Sequence, residues 1–143
     1  MVAQIRSLND ASSPRSNALP ANIGRAGLKL FFTLAEHWGL NQAQQLTLLG
    51  LSSRTTLKNY RERVAAGDDL KLPVDLLERL SLIAGIRKAV EMLYPESRWN
   101  TYMWTDNQAF GGTSPLSWML QGRVGHLYDV RRYLDAQRGA HFG

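Results

Sequence analysis

A chain of 143 residues has room for one compact domain, or for two small helical units sharing a core, which argues against a large enzyme. Hydrophobic residues make up 44% and charged residues 20%, the balance of ordinary soluble domains, so composition points neither to disorder nor to a fibre. Seventeen Lys and Arg against twelve Asp and Glu leave a net charge of +5, which favours an anionic partner such as DNA; the lack of cysteine excludes disulfides and thiolate metal sites.

Residues 1–22 mix Ser, Asn, Pro and Ala with three scattered aliphatics, Val2, Ile5 and Leu8, and read as a flexible leader. They carry no apolar signal core, and no run approaches the ~18–20 apolar residues that span a bilayer, so a cytoplasmic protein without a membrane partner is expected. From Gly24 to Trp38 the residues Leu30, Phe31, Leu34, Ala35 and Trp38 recur at helical steps, and Gly39 stops the helix. Asn41 is placed to cap a second short helix that buries Leu46 and Leu49 before Gly50. Ser52 or Ser53 can cap a third, which presents Leu57, Tyr60 and Val64 on one face and runs to Ala66-Gly67.

Gly67-Asp68-Asp69 reads as a loop, and Pro73 suits the start of a longer segment whose stripe holds Val74, Leu77, Leu80, Ile83 and Ile86. Further apolar residues, Leu76, Leu82, Val90, Met92 and Leu93, predict burial on more than one side, and Gly85 is a point where the segment could divide into two helices. Pro95 ends it. Residues 96–113, with Trp99, Tyr102, Trp104 and Phe110, read as an ordered irregular loop pinned to the core by aromatics. Ser114-Pro115 starts another helix that Gly122 closes; a last one begins near Val124 or Gly125, buries Leu127, Val130 and Leu134, and ends at Gly139. With no strand pattern, the fold class is all-α.

Leu46 to Val64 supplies the parts of a helix-turn-helix: a short helix, a turn containing Gly, and a second helix with a polar outward face. With Leu57 and Val64 inward, Arg54, Thr55, Lys58 and Asn59 fall on the opposite side, joined by Ser53 and Arg61 as candidate DNA contacts. Arg or Lys can donate to guanine, Asn can pair with adenine, and hydroxyls can bond phosphate. Between Ser52 and Val64 four basic residues stand against Glu62 alone. Six residues separate Gly50 from Leu57, one more than a common spacing, so either the turn is longer or Thr56 takes the buried slot.

Catalytic chemistry has no such constellation. His37, His126 and His141 are far apart with no second ligand at metal spacing, no phosphate-cradling loop precedes a helix, and no His and Asp stand near Ser52 or Ser53. Neither an enzyme, a metal nor a cofactor is expected.

The strings Asn107-Gln108-Ala109-Phe110-Gly111-Gly112-Thr113-Ser114-Pro115-Leu116, Met119-Leu120-Gln121-Gly122 and Leu127-Tyr128-Asp129-Val130-Arg131-Arg132-Tyr133-Leu134 resemble the C-terminal toxin-binding domain of the antitoxin Xre/MbcA/ParS family. Residues 24–67 are similar to the family's Xre-like helix-turn-helix. The resemblance divides the chain into a leader, 1–22, a DNA-binding domain, 23–84, and a toxin-binding domain, 85–143. It implies a type II antitoxin, homodimeric and autorepressing, that covers the active site of a RES-domain toxin; the NAD-degrading chemistry belongs to that partner. It also makes the chain end the candidate plug, with Arg131, Arg132, Arg138, His141 and Phe142 as toxin contacts. Phe110, Gly111, Gly112 and Pro115 read as shaping the loop rather than touching a partner. The residues alone leave open a stand-alone dimeric transcriptional regulator.

Overall fold

The computed structural model describes the backbone of residues 21–142 and the side chains of residues 23–139. Residues 1–20 of the leader lie outside the described residues, and its last two belong to the first helix. Helix α1, Ala21–His37, buries Leu28, Phe31, Leu34 and Ala35. It stops at Gly39, whose φ of 66° a side chain would resist. Leu30 departs from the expected stripe: the buried face is centred on its neighbours, and Leu30 points outward.

Helix α2, Gln42–Leu49, opens with a reciprocal cap, the Asn41 side chain accepting from Gln44 N–H while the Gln44 side chain accepts from Asn41 N–H. It ends at Gly50 in the left-handed region, where Leu51 N–H reaches back to Leu46 O. Helix α3, Arg54–Ala65, begins at Ser53, whose Oγ accepts from Thr56 N–H at 3.1 Å. Leu57 is its fully buried residue and Leu51 packs against the core, so the longer turn is the one adopted.

Helix α4, Val74–Leu93, is continuous through Gly85. That glycine does not break the helix; it makes room for the Arg131 guanidinium, which a Cβ at residue 85 would overlap. Helix α4 is the central post, with α1 on one side and the last helix along another, as its two-sided apolar pattern requires. Val74 and Met92 are exceptions, both exposed.

The stretch 96–113 is more regular than expected. It holds 3-10 turns at Glu96–Arg98 and Gln108–Phe110 and the one-turn helix α5, Trp99–Met103. Trp99 and Tyr102 stand three apart, and each finds a partner: Trp99 Nε1 donates to Tyr94 O, and Tyr102 stacks on Tyr94 with ring centroids 4.5 Å apart. Arg87 lies over the Trp99 ring and donates to Asn100 Oδ1 and Glu91 Oε2, tying α5 to α4. Burial pushes the Tyr102 phenol well above its ordinary pKa.

Ser114 caps helix α6, Pro115–Met119, with Pro115 in its first turn. Helix α7, Val124–Phe142, buries Leu127, Val130 and Leu134 and passes through Gly139, its expected end. One apolar core links both halves of the chain, from Phe31 and Leu57 through Ile83 and Ile86 to Leu116 and Leu127. No described helix is long and apolar enough to cross a membrane.

Gly24 is buried where α1 crosses the connection before α4, and a Cβ there would overlap the Leu70 carbonyl oxygen. Backbone cannot swing aside as a side-chain end can. Gly24→Ala is therefore expected to cost about 1–2 kcal/mol, the lower part of the overpacking range because the first turn of α1 can tilt; urea unfolding followed by circular dichroism measures it.

Candidate DNA and toxin interfaces

Helix α3 is held from below and open above. Leu57 is buried, whereas Arg54, Thr55, Lys58, Asn59 and Arg61 are exposed, and Ser53 is half-buried at the cap. Ser53 Oγ accepts from Thr56 N–H and keeps its own hydrogen to donate.

The candidate side chains differ in freedom. Arg61 Nη2 donates to Gln45 Oε1 at 2.7 Å, and its guanidinium lies 4.5 Å from the centre of the Phe32 ring, so it is buttressed against α2 and α1. Gln45 is buried and its amide also donates to Leu40 O, which fixes the acceptor that Arg61 uses. Arg63 is engaged with Asp68. Lys58 meets Glu62 only at 4.0 Å with both groups largely exposed, a pairing of little strength. Arg54 donates to Gln42 Oε1 on the first turn of α2. Gln42, Arg54, Thr55, Lys58 and Arg61 together line a shallow hollow at the mouth of α2 and α3. Gln42 was not among the sequence candidates; its exposed place at the start of α2 was the available signal.

The second face lies at α7. Arg132 is the freest of its arginines, with a side chain 69% exposed and one contact, to Asp129 Oδ1 at 2.9 Å. Asp129 also accepts from Trp118 Nε1, which joins α7 to α6. Arg131, a candidate toxin contact, is folded down against Gly85 and pairs with Asp135 at 3.0 Å. Arg138 approaches the same carboxylate at 3.7 Å. The His141 and Phe142 side chains lie outside the described residues.

Beside α7, Asn107 organises a closed knuckle. Its Oδ1 accepts from Ala109 N–H, its carbonyl from Phe110 and Gly112 N–H, and its own N–H donates to Thr113 O. Gly111 and Gly112 sit at φ 65° and 86°. The knuckle buries Phe110 edge-on to Tyr133, 5.2 Å between centroids, and leads into the buried Pro115.

Two contacts join the faces. Arg79 of α4 donates from Nη1 to Thr47 O and Leu48 O, the end of α2, and from Nη2 to Gly122 O, the turn before α7. One position away, the Tyr128 hydroxyl donates to Glu78 Oε2 at 2.6 Å, a hydrogen bond that raises the phenol's pKa.

A short helix, a glycine turn and a basic, outward-facing second helix on an all-α core define a helix-turn-helix protein with an added helical domain. Residues 18–85 match the family model for the antitoxin Xre-like helix-turn-helix domain, and residues 88–139 match that for the antitoxin Xre/MbcA/ParS C-terminal toxin-binding domain. The chain belongs to the antitoxin Xre/MbcA/ParS family. It is also 42% identical over 131 residues to the "uncharacterized protein y4oB" of Sinorhizobium fredii, strain NBRC 101917 / NGR234, a match covering 90% of this chain and 94% of that one. The two family matches meet inside α4, so a single helix carries the DNA-binding class of domain into the toxin-binding one.

Proposed function

We propose that this antitoxin neutralises a RES-domain, NAD-degrading toxin by covering its active site, and that as a homodimer it represses its own operon as a type II system does. The observation that carries the reading is the joining, on one apolar core, of an exposed basic α3 to a domain of the toxin-binding family. In this reading Ser53, Arg54, Thr55, Lys58, Asn59 and Arg61 form the operator face, with Arg61 steadied by Gln45. The domains divide near residue 85, inside α4. Helix α7 meets the toxin through Arg131, Arg132 and Arg138, with His141 and Phe142 completing the surface. Arginines suit this task, since a guanidinium can bind a carboxylate through two parallel hydrogen bonds. The chain supplies no catalytic group or cofactor, and it acts in the cytoplasm, where operator and NAD are both found.

Co-expression with the neighbouring reading frame tests this. Growth and cellular NAD are expected to be preserved, and the two proteins to elute as one complex. Arg132→Glu is expected to weaken that complex about tenfold with helical content unchanged, because a reversed rim charge meets the wrong sign while the chain loses only an exposed pair. A neighbour that neither binds nor poisons the cell would leave the stand-alone regulator in place of the antitoxin reading.

A further inference from the structure

A cleft of about 480 Å³ opens where the two halves of the chain meet. Its apolar walls come from three segments: Leu51 in the turn before α3, Pro73 and Leu76 at the start of α4, and Val124 at the start of α7. A cleft of this size and mixed lining, set at a domain junction, is suited to enclosing a side chain or a small group.

The charge it offers is carboxylate. Arg79 also lines it, but that guanidinium is engaged by the Thr47, Leu48 and Gly122 carbonyls. Glu78 Oε2 accepts from the Tyr128 hydroxyl, which leaves Oε1 to the cleft. Asp75, exposed in the first turn of α4, pairs with no cation among the described residues. Aliphatic walls beside two carboxylates fit a guanidinium on its methylene stem, and they repel DNA.

This chain carries such a group beside the cleft. Residues 1–20 hold Arg6 and Arg15 against Asp10 alone. They join the fold at Ala21, and Gly24, in the first turn of α1, lies against Leu70 and Leu72, just ahead of Pro73 at the cleft's edge. Asp75 is three residues beyond Leu72, at most ~10 Å of chain. Arg15 stands six residues before Ala21, which gives it a reach of about 20 Å plus its own stem. A group tethered this closely is present at an effective concentration on the order of millimolar, so a contact of only about millimolar affinity is half occupied. A separate protein meets the same carboxylates at its own, far lower, concentration.

We infer that the segment 1–20 docks in this cleft, with Arg15 on Asp75 and Glu78, and straps the helix-turn-helix to the start of α7. The assignment is independent of which toxin the chain meets.

The chain has no cysteine, so a nitroxide attached to Ser16→Cys of the full chain reports from that site alone. It is expected to weaken the amide resonances of Leu51, Asp75 and Val124 about twofold or more, and to spare Met92, about 25 Å further along α4. Arg15→Glu and Asp75→Lys are each expected to remove most of this weakening, and the two together to restore it; circular dichroism checks that helical content is kept. Salt at about 1 M, where the screening length is ~3 Å, is expected to act like the single variants. Weakening in the native chain no greater than in either single variant would overturn the inference, as would a double variant that restores nothing. Weakening centred on Ile23, Leu30 and Leu77 would place the segment in the groove between α1 and α4 and overturn it too. So would weakening that arises only between labelled and unlabelled copies, which would make the occupant a second copy's segment.

Discussion

An Arg54→Ala, Lys58→Ala double variant is expected to lose about 100-fold or more in operator affinity at fixed salt while keeping its stability. Both residues are exposed on the outer side of α3, and neither holds the fold: Arg54 touches only the Gln42 side chain on the surface, and Lys58 stands at the limit of pairing with Glu62. Each well-formed contact from such a side chain to a base edge is worth about 1–3 kcal/mol, so two together reach the stated loss. If instead they bind phosphate, the loss spreads evenly over operator and random DNA, and the salt dependence becomes shallower by about one unit for each contact removed. Titrating both DNAs at several salt concentrations separates these cases, and unchanged binding to operator and random DNA alike would remove α3 as the reading helix. Arg61→Ala should behave differently. It strips Gln45 of its partner and Phe32 of its cation, so its effect includes a measurable loss of stability.

This contrast between Arg61 and its neighbours marks where reading the sequence succeeds and where it stops. Asn41, Ser114 with Pro115, Gly39 and Gly50 could be assigned from the chain, and the α3 cap narrowed to Ser52 or Ser53, because a cap or a left-handed turn is closed within three or four residues. Periodicity likewise placed α3 and told its exposed side from Leu57. Arg61's anchoring could not be seen, because Gln45 and Phe32 lie on other helices. Gly85 shows the same limit more sharply: in sequence it is a helix breaker, and only α7 lying across α4 turns it into a seat for Arg131. Arg131, a candidate toxin contact, is left only partly exposed. Leu30 and Val74 were drawn inward because apolar residues beside a buried stripe fit the same period. Leu30 lines an apolar groove between α1 and α4. For Val74 the structure offers no contact that explains an exposed valine.

Arg79, which no motif singles out, is expected to be the costliest polar side chain to lose. Three backbone carbonyls accept from it, and of these Thr47 O also accepts from Gly50 N–H. Thr47 O and Leu48 O belong to the last turn of α2, where carbonyls have no partner within the helix, and Gly122 O belongs to the turn that starts α7. A cation at that helix end also meets the negative end of the α2 dipole. Gly50 completes the arrangement, since a Cβ there would stand 2.7 Å from Arg79 Nε. Arg79→Ala should cost about 2–3 kcal/mol, less than three full charged hydrogen bonds because the site is partly open and water can replace some of them. Arg79→Lys should recover only part of this, because an ammonium on a flexible stem cannot span acceptors on two segments as a planar fork does. Urea denaturation measures both losses. Hydrogen exchange shows whether they concentrate where the structure requires, at the end of α2 and the start of α7, with the middle of α4 protected. If Ala and Lys variants unfold at the native midpoint, the three contacts are incidental, and the apolar core alone holds the helix-turn-helix against the toxin-binding domain.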